Sequence, residues 1–598
     1  NGCTESTSVT LTEPVVLGVS VSTITDETCT GCEDGTVTIN VSGGTPGYTF
    51  VWNGPDGYSS TLQNPTDMGA GDYDVQVSDL NGCITSALAS VNNPLIVTNT
   101  DDSGYGSLRY AINYANERWG KDSIIFNIDG PGPHIISPQS DLYSIDSALV
   151  IDGYTQEGSS ANTSPPGQGM NSVIQIVLDG DGLLPEQGSR GLLIRGNSCT
   201  IRGINFTRWP FSGIGLWENE GNLIEGNFFG TDALGSDAAG YGNETFGIEL
   251  WKSSDNIIRG NIVSGNGGVD PNPGISLGDT CSGNLLIGNF IGTDISGTMA
   301  LPNSGSGINI GHSWDNTIGG TLPEDRNVVF GGIALFGIYT TGNKIIGNYI
   351  GQEVDGFGSL GDASGIAIYD EASYNEIGPG NVIAGIQIGH PVYLGPGTFH
   401  NSVFGNDIGV AENGNTVMHN QATGIYIENS FDNMIGGLTP DRANIISGSV
   451  NGHGILIRGF QAKFNQVANN IIGTNLSDNP QMGNAGSGIE LSDTANNNII
   501  GPGNVISGND ECGIIVHLHA SFTNRIIGNL IGTSVDGMKA LGNGTHGIHM
   551  NASGNVIGGF TAEERNVVSA NGYFGIEIGS ISDVHGDTVR GNYIGTDI

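Results

Sequence analysis

From about residue 190 onward the chain repeats itself, and a repeat of this length leaves few folds open. A Gly-Ile-x-aliphatic motif, or a near form of it, recurs thirteen times, with its glycine at 213, 247, 274, 307, 337, 365, 385, 424, 454, 488, 513, 547 and 575. Twelve steps over 362 residues average about 30. A second motif, aliphatic-Gly-Thr-(Asp/Asn/Ser) or a degenerate form, has its glycine at 230, 292, 351, 409, 473, 532 and 595, in steps of 58 to 64. The period is therefore a pair of units, one short and one carrying an insertion. Each unit offers short β-branched strands whose alternate side chains share one face, and no single unit can bury that face alone. Neighbours must stack in parallel around a continuous Ile and Val column. Turns between strands call for positive φ, which accounts for the glycines. Asn261, Asn289, Asn348, Asn406, Asn470, Asn529 and Asn592 fall at equivalent turns and are candidates for a side-chain amide ladder.

The unit resembles the repeats of right-handed parallel β-helix proteins, over roughly 400 residues. About 14 stacked coils at about 4.8 Å each predict a rod roughly 70 Å long. The lead-in is different: one amphipathic helix, with Ser107 as N-cap and Leu108, Ala111, Ile112 and Ala115 on one face, precedes the array and suggests a cap. With the segments VIDGYTQEGSSANTSPPG and VLDGDG, it is similar to the opening of secreted bacterial β-helix proteins.

Residues 15–95 alternate apolar and polar residues in short runs such as GTVTINV, YTFVW and GDYDVQV, separated by turn clusters. That pattern predicts a small antiparallel, Ig-like β-sandwich. The order of SGGTPGYTFVW, AGDYDVQVSD and a closing NGC resembles the SprB-type repeats found in tandem in surface adhesins of gliding Bacteroidetes. The resemblance implies an extracellular surface module and secretion to a bacterial cell surface. Residues 1–14 repeat the pattern of residues 81–94, so they are expected to be the tail of a preceding copy. The final GNYIGTDI matches the middle of a repeat, so the array is expected to continue. The predicted organisation is 1–14 repeat tail, 15–95 sandwich, 96–172 cap and first coils, and 173–598 β-helix.

Composition excludes other classes. Glycine is 100 of 598 residues, but 22 prolines and no Gly-X-Y period rule out collagen. Eighteen basic against 60 acidic residues give −42, which repels nucleic-acid phosphates and anionic membranes. No apolar run reaches the roughly 18 residues of a membrane span, so no membrane insertion is expected. Seven cysteines are present. In a sandwich of this kind a disulfide from Cys83 to Cys29 or Cys32 is expected, with Cys3 the equivalent of Cys83 in the preceding copy.

Chemistry-bearing residues are few. Gly452-His453-Gly454 followed by Arg458 is similar to a segment of the polygalacturonases, but the preceding coil lacks the aspartate pair that family requires, and a turn histidine recurs at His546. A second cluster comprises His517, His519, His546 and His549 with Glu490, Asp493, Asp510, Glu511 and Glu577. The outward position of the Gly-Ile-x motif gives Glu490, Ile515, His549 and Glu577 in axial order, an acidic and imidazole patch. Of these, His517, His549, Glu490 and Glu577 are where any catalysis would sit, but no motif fixes their geometry and a solvated strand face is the preferred reading. Trp217 and Trp251 occupy equivalent places on adjacent coils and predict an aromatic platform for sugar rings, with Glu218 and Lys252 supplying hydrogen bonds. The alternative is that both rings fill space beneath the loop holding Trp209. Asp232, Asp294 and Asp597 line up, but their counterparts drift to Glu353 or Gln352, Asn475 and Ser534, so no metal site and no cofactor is assigned beyond weak, scattered Ca²⁺. Arg326, Arg442 and Arg565 follow acidic residues and read as loop-pinning ion pairs.

The expected function is a segment of a large secreted adhesin or fibre, whose partners are surface glycans or further copies of the same chain. The alternative is a polysaccharide lyase or hydrolase on a pectate-lyase-like β-helix.

Overall fold

The computed structural model describes residues 15–27, 32–92, 95–117, 121–184, 188–361, 363–479, 481–517, 522–579 and 584–595. The repeat tail at 1–14, Cys3, Cys29, His519 and Asp597 lie outside the described residues.

The N-terminal module consists of a two-stranded antiparallel sheet (Gly18–Thr25 with Thr36–Ser42) and a four-stranded one built from Thr49–Asn53, Ser59–Ser60, Gly71–Ser78 and Ile84–Val91. Alternation does the work here: Val37, Ile39, Tyr73, Val75 and Val77 turn inward and pack on Trp52 and Met68. The two polar rings among them find partners, Trp52 Nε1 donating to Leu62 O at 3.0 Å and Tyr73 Oη to Gly69 O at 2.6 Å.

The remainder is a parallel β-helix of three sheets. Sheet one has seventeen strands from Leu95–Val97 to Thr588–Arg590, sheet two sixteen from His134–Ile136 to Tyr593–Ile594, and sheet three fourteen from Leu192–Ile194 to Ile576–Ile578. From Leu149–Asp152 to Ile576–Ile578 each coil contributes one short strand to each sheet, and neighbouring strands in a sheet come from consecutive coils. In sheet three, Ile214, Ile248, Ile275 and Ile308 pair in sequence, and each is 0% exposed. Full burial of each such side chain contributes about 1.5–3 kcal/mol. The helix Leu108–Asn116 lies against the first strands of sheet one, with Leu108, Ala111, Ile112 and Ala115 buried and the Ser107 side chain accepting from Tyr110 N.

Polar residues also line the interior. One row of asparagines runs from Asn227 to Asn592, each Nδ2 donating to the Oδ1 of the next coil at 2.8–3.2 Å. It contains all seven predicted asparagines together with members the pattern did not single out, such as Asn327 and Asn444. A parallel row runs from Asn222 to Asn555.

Three expectations need correction. The motif glycines Gly337 and Gly385 are out of register: the strand on their coils is Ile333–Phe336 in one case, and Val392 to Leu394 align with the neighbouring coils in the other. Backbone conformation separates them from the rest, since Gly337 and Gly385 have positive φ (94° and 73°) while the in-register motif glycines do not. The glycines of the second motif do, at +74° to +84° for residues 230, 292, 351, 409, 473, 532 and 595. Finally, Cys83 is a free, exposed thiol while Cys32 is disulfide-bonded, so the expected bridge to Cys83 is absent. Asp79 explains the geometry: its Oδ1 accepts from Cys83 N at 2.8 Å and closes the turn that leads into Ile84–Val91.

Candidate functional site

Sheet three collects the chemistry. Its inward positions are aliphatic, which leaves the alternate outward positions free to vary, and three clusters occupy them along the axis.

At the first, Trp217 and Trp251 are register partners with ring centroids 5.2 Å apart and planes at 45°. They are half-buried, whereas Trp209 is fully buried and donates to Leu178 O at 3.1 Å. The platform is partly covered: the Arg190 guanidinium lies 4.5 Å from the Trp217 ring and Lys252 Nζ 3.9 Å from the Trp251 ring. Arg190 also pairs with Glu249 at 2.9 Å, which in turn accepts from Trp217 Nε1 at 3.3 Å. Lys252 and Glu218 approach each other at 3.9 Å.

The second cluster is one the motifs did not single out. The strand Ile386–Leu394 carries extra residues, and its arch sets His390 beside Tyr393 and Tyr426. The His390 and Tyr426 rings are 4.8 Å apart, those of Tyr393 and Tyr426 5.6 Å, and Tyr393 Oη donates to Glu428 Oε2 at 2.7 Å. Together with Ile388 and Ala367 they line a groove of about 440 Å³, continuous through Ser364, Gly365 and Ile388 with a second of about 530 Å³. Burial pushes the His390 imidazole down. Its Nδ1 lies 3.2 Å from Thr423 O, a bond only Nδ1–H can make, so Nε2 of the neutral ring is left as an acceptor. The hydrogen bond to Glu428 adds to burial in raising the Tyr393 phenol. A signal existed in the sequence: Tyr393 and Tyr426 are consecutive outward residues once the register is known.

The third cluster brings the predicted histidines and acids together. Glu490 Oε2 sits 2.9 Å from His453 Nε2 and 3.4 Å from His517 Nε2. Burial opposes the Glu490 charge, but the two imidazole hydrogen bonds overcome it and hold the carboxyl well below its usual range; the same contact raises His517. His453 Nδ1 accepts from Ser487 N at 3.0 Å, so this ring carries its proton on Nε2 and donates it to Glu490. Further along, His546 Nε2 and His549 Nε2 lie 3.3 and 3.2 Å from Glu577 Oε2. Burial lowers His549. Of the other members, Asp493 pairs with Arg458 at 2.5 Å and Glu511 Oε2 accepts from Ser487 Oγ at 3.3 Å.

The aligned aspartates have a local task. Asp232 Oδ1 accepts from Ser236 N and Asp237 N, and Asp294 Oδ1 from Thr298 N and Met299 N. Asn475 and Ser534 do the same for their own turns. Any short acceptor closes this turn, which explains the drift in identity. Arg326, Arg442 and Arg565 lie over Tyr349, Phe404 and Tyr593 at 4.1, 3.6 and 4.3 Å, and Arg326 makes its ion pair with Glu412 at 2.8 Å, an acid distant in sequence.

Residues 21–57 match the SprB repeat family and residues 181–294 the family described as periplasmic copper-binding protein (NosD). A 3-dehydroshikimate dehydratase of Acinetobacter baylyi is 25% identical over 264 residues, 41% of this chain and 50% of that protein, so the chain spans about half the length of this relative. Among solved structures, the Dettilon tailspike protein is 15% identical with a TM-score of 0.36, covering 70% of this chain and 66% of that one. A mutant of the periplasmic alginate epimerase AlgG is 12% identical with a TM-score of 0.27, covering 79% and 77%. The alginate lyase of a Paenibacillus species is 12% identical with a TM-score of 0.20, covering 72% and 99%. The chain carries an SprB repeat followed by a parallel β-helix domain.

Proposed function

We propose that the chain is an extracytoplasmic rod, part of a cell-surface adhesin, that holds glycans on the outer face of sheet three. The observation that carries this reading is the groove under the Ile386–Leu394 arch. Its aromatic walls, Tyr393, Tyr426 and His390, offer faces for sugar rings, while Glu428 and His390 Nε2 offer acceptors for hydroxyl groups. Trp217 and Trp251 supply a second contact of the same kind nearer the N-terminal end. The SprB repeat and the match to a periplasmic family support a place outside the cytoplasm. Among the described residues no helix is long and apolar enough to cross a membrane.

Retention on a panel of immobilised polysaccharides tests the reading. Tyr426→Ala and Trp251→Ala are each expected to lower affinity about fivefold, from the loss of about 1 kcal/mol of ring stacking, with unchanged circular dichroism. Equal retention by parent and both variants would sink it.

One observation favours a second reading, a polysaccharide lyase or hydrolase: Glu490 held between two imidazoles could serve proton transfer. Time-dependent release of reducing ends or unsaturated uronates, abolished by Glu490→Gln, would establish turnover. A panel without product would remove it.

A further inference from the structure

We propose that His546, His549 and Glu577 bind a divalent transition-metal ion of the zinc, nickel and copper class on the outer face of sheet three. His546 lies in the turn that enters the strand Ile548–Met550, His549 is that strand's outward residue, and Glu577 is its register partner one coil further on. The three come from two coils stacked by the core, so their spacing is set by the sheet. One donor atom from each lies within 4.8 Å of the other two. Both imidazole Nε2 atoms face the same carboxylate oxygen, at 3.3 and 3.2 Å.

Those separations are informative. Ligand bonds of about 2.0–2.1 Å at tetrahedral angles place neighbouring donor atoms about 3.3–3.4 Å apart. Two of the three edges therefore already have the length a metal would impose, and a small rotation of one ring brings in the third. The His546 ring is held in place, stacked on Phe574 at 5.5 Å and 5.6 Å from Tyr573, which limits the freedom lost on binding. The side chains are 14%, 15% and 25% exposed, enough to admit an ion and to leave a coordination position to water. Asn551 Nδ2 sits 3.0 Å from His549 Nε2; turned over, the same amide presents Oδ1 as a fourth ligand.

Donor chemistry selects the ion. Two imidazoles and one carboxylate suit Zn²⁺, Ni²⁺ or Cu²⁺, whereas Ca²⁺ takes six or more oxygens. The residues lie outside the stretch that matches the periplasmic copper-binding family.

The test is equilibrium dialysis of the untagged, metal-stripped chain against Zn²⁺, Ni²⁺ and Ca²⁺, with bound metal quantified. The expected result is one Zn²⁺ or Ni²⁺ per chain and no comparable retention of Ca²⁺. His549→Ala and Glu577→Gln should each weaken Zn²⁺ binding at least about tenfold, while His517→Ala leaves it unchanged. Circular dichroism identifies any variant that fails to fold, and Glu577→Gln, which keeps size and shape, carries the test in that case. Absence of bound Zn²⁺ in the parent, or undiminished binding in Glu577→Gln, overturns the proposal.

Discussion

Glu490 shows how much one outward position can depend on its neighbours. Its charge is favoured by His453 and His517 on flanking coils, and its hydrogen bond to His517 raises that imidazole in return. A carboxyl held below its unfolded value contributes stability above about pH 4.5 that is lost as pH falls through the folded value; a raised imidazole contributes below about pH 6.5 and loses that contribution as pH rises through its folded value. The trio is therefore most stabilising between about pH 4.5 and 6.5. Glu490→Gln should lower the His517 pKa toward its ordinary value in an NMR titration, and the melting difference from the parent should be larger at pH 5.5 than at pH 9. Half-exposure of His517 keeps the effect to about 1 kcal/mol or less. Glu490, His549 and Glu577 were legible in the sequence because the Gly-Ile-x motif fixes which residue points outward; on the intervening coil the motif marks Ile515, and His517 stands two residues beyond it. His453 as a partner of Glu490 was not, because it stands in a turn, where the strand period gives no direction.

The strand and its leading glycine form the unit at the next scale. A Cβ on Gly488 would sit 2.4 Å from Ile506 Cγ2 and 2.7 Å from Gly513 O, with no unusual backbone angle to accommodate. The residue is glycine for want of room between coils, not for positive φ. Gly389, in the arch, is the converse: φ is +72° and nothing lies within 4 Å. Gly488→Ala should cost about 1–3 kcal/mol through overpacking and Gly389→Ala about 1 kcal/mol through backbone strain, read from denaturant midpoints; a larger loss at Gly389 would contradict this account. The parallel coils, the helix Leu108–Asn116 and the sandwich strands were all visible as periodicity. The groove was hidden because Gly385-Ile386 satisfies the motif without taking its place in the sheet, so counting from it assigns Gln387 the outward position that Tyr393 holds.

At the scale of the whole molecule, the net charge of −42 acts on every encounter. Capture of a neutral polysaccharide should be nearly independent of salt, while capture of an acidic one should be suppressed at low ionic strength and recover as the Debye length falls from about 30 Å at 0.01 M to about 8 Å at 0.15 M. Retention measured across that range checks this, and strong low-salt binding of a polyanion would contradict it. The asparagine row from Asn227 to Asn592 has a different consequence. Each amide accepts from the coil before and donates to the coil after, and backbone N–H groups such as those of Asn227, Asn261 and Asn289 donate to the next Oδ1 in the same sense, which fixes the direction. The row is thus a one-way chain of dipoles with a distinct head and tail. Any fibre lengthened by such coils would inherit that polarity: growth in phase preserves the chain, whereas two rods joined head to head would set acceptor against acceptor at the seam.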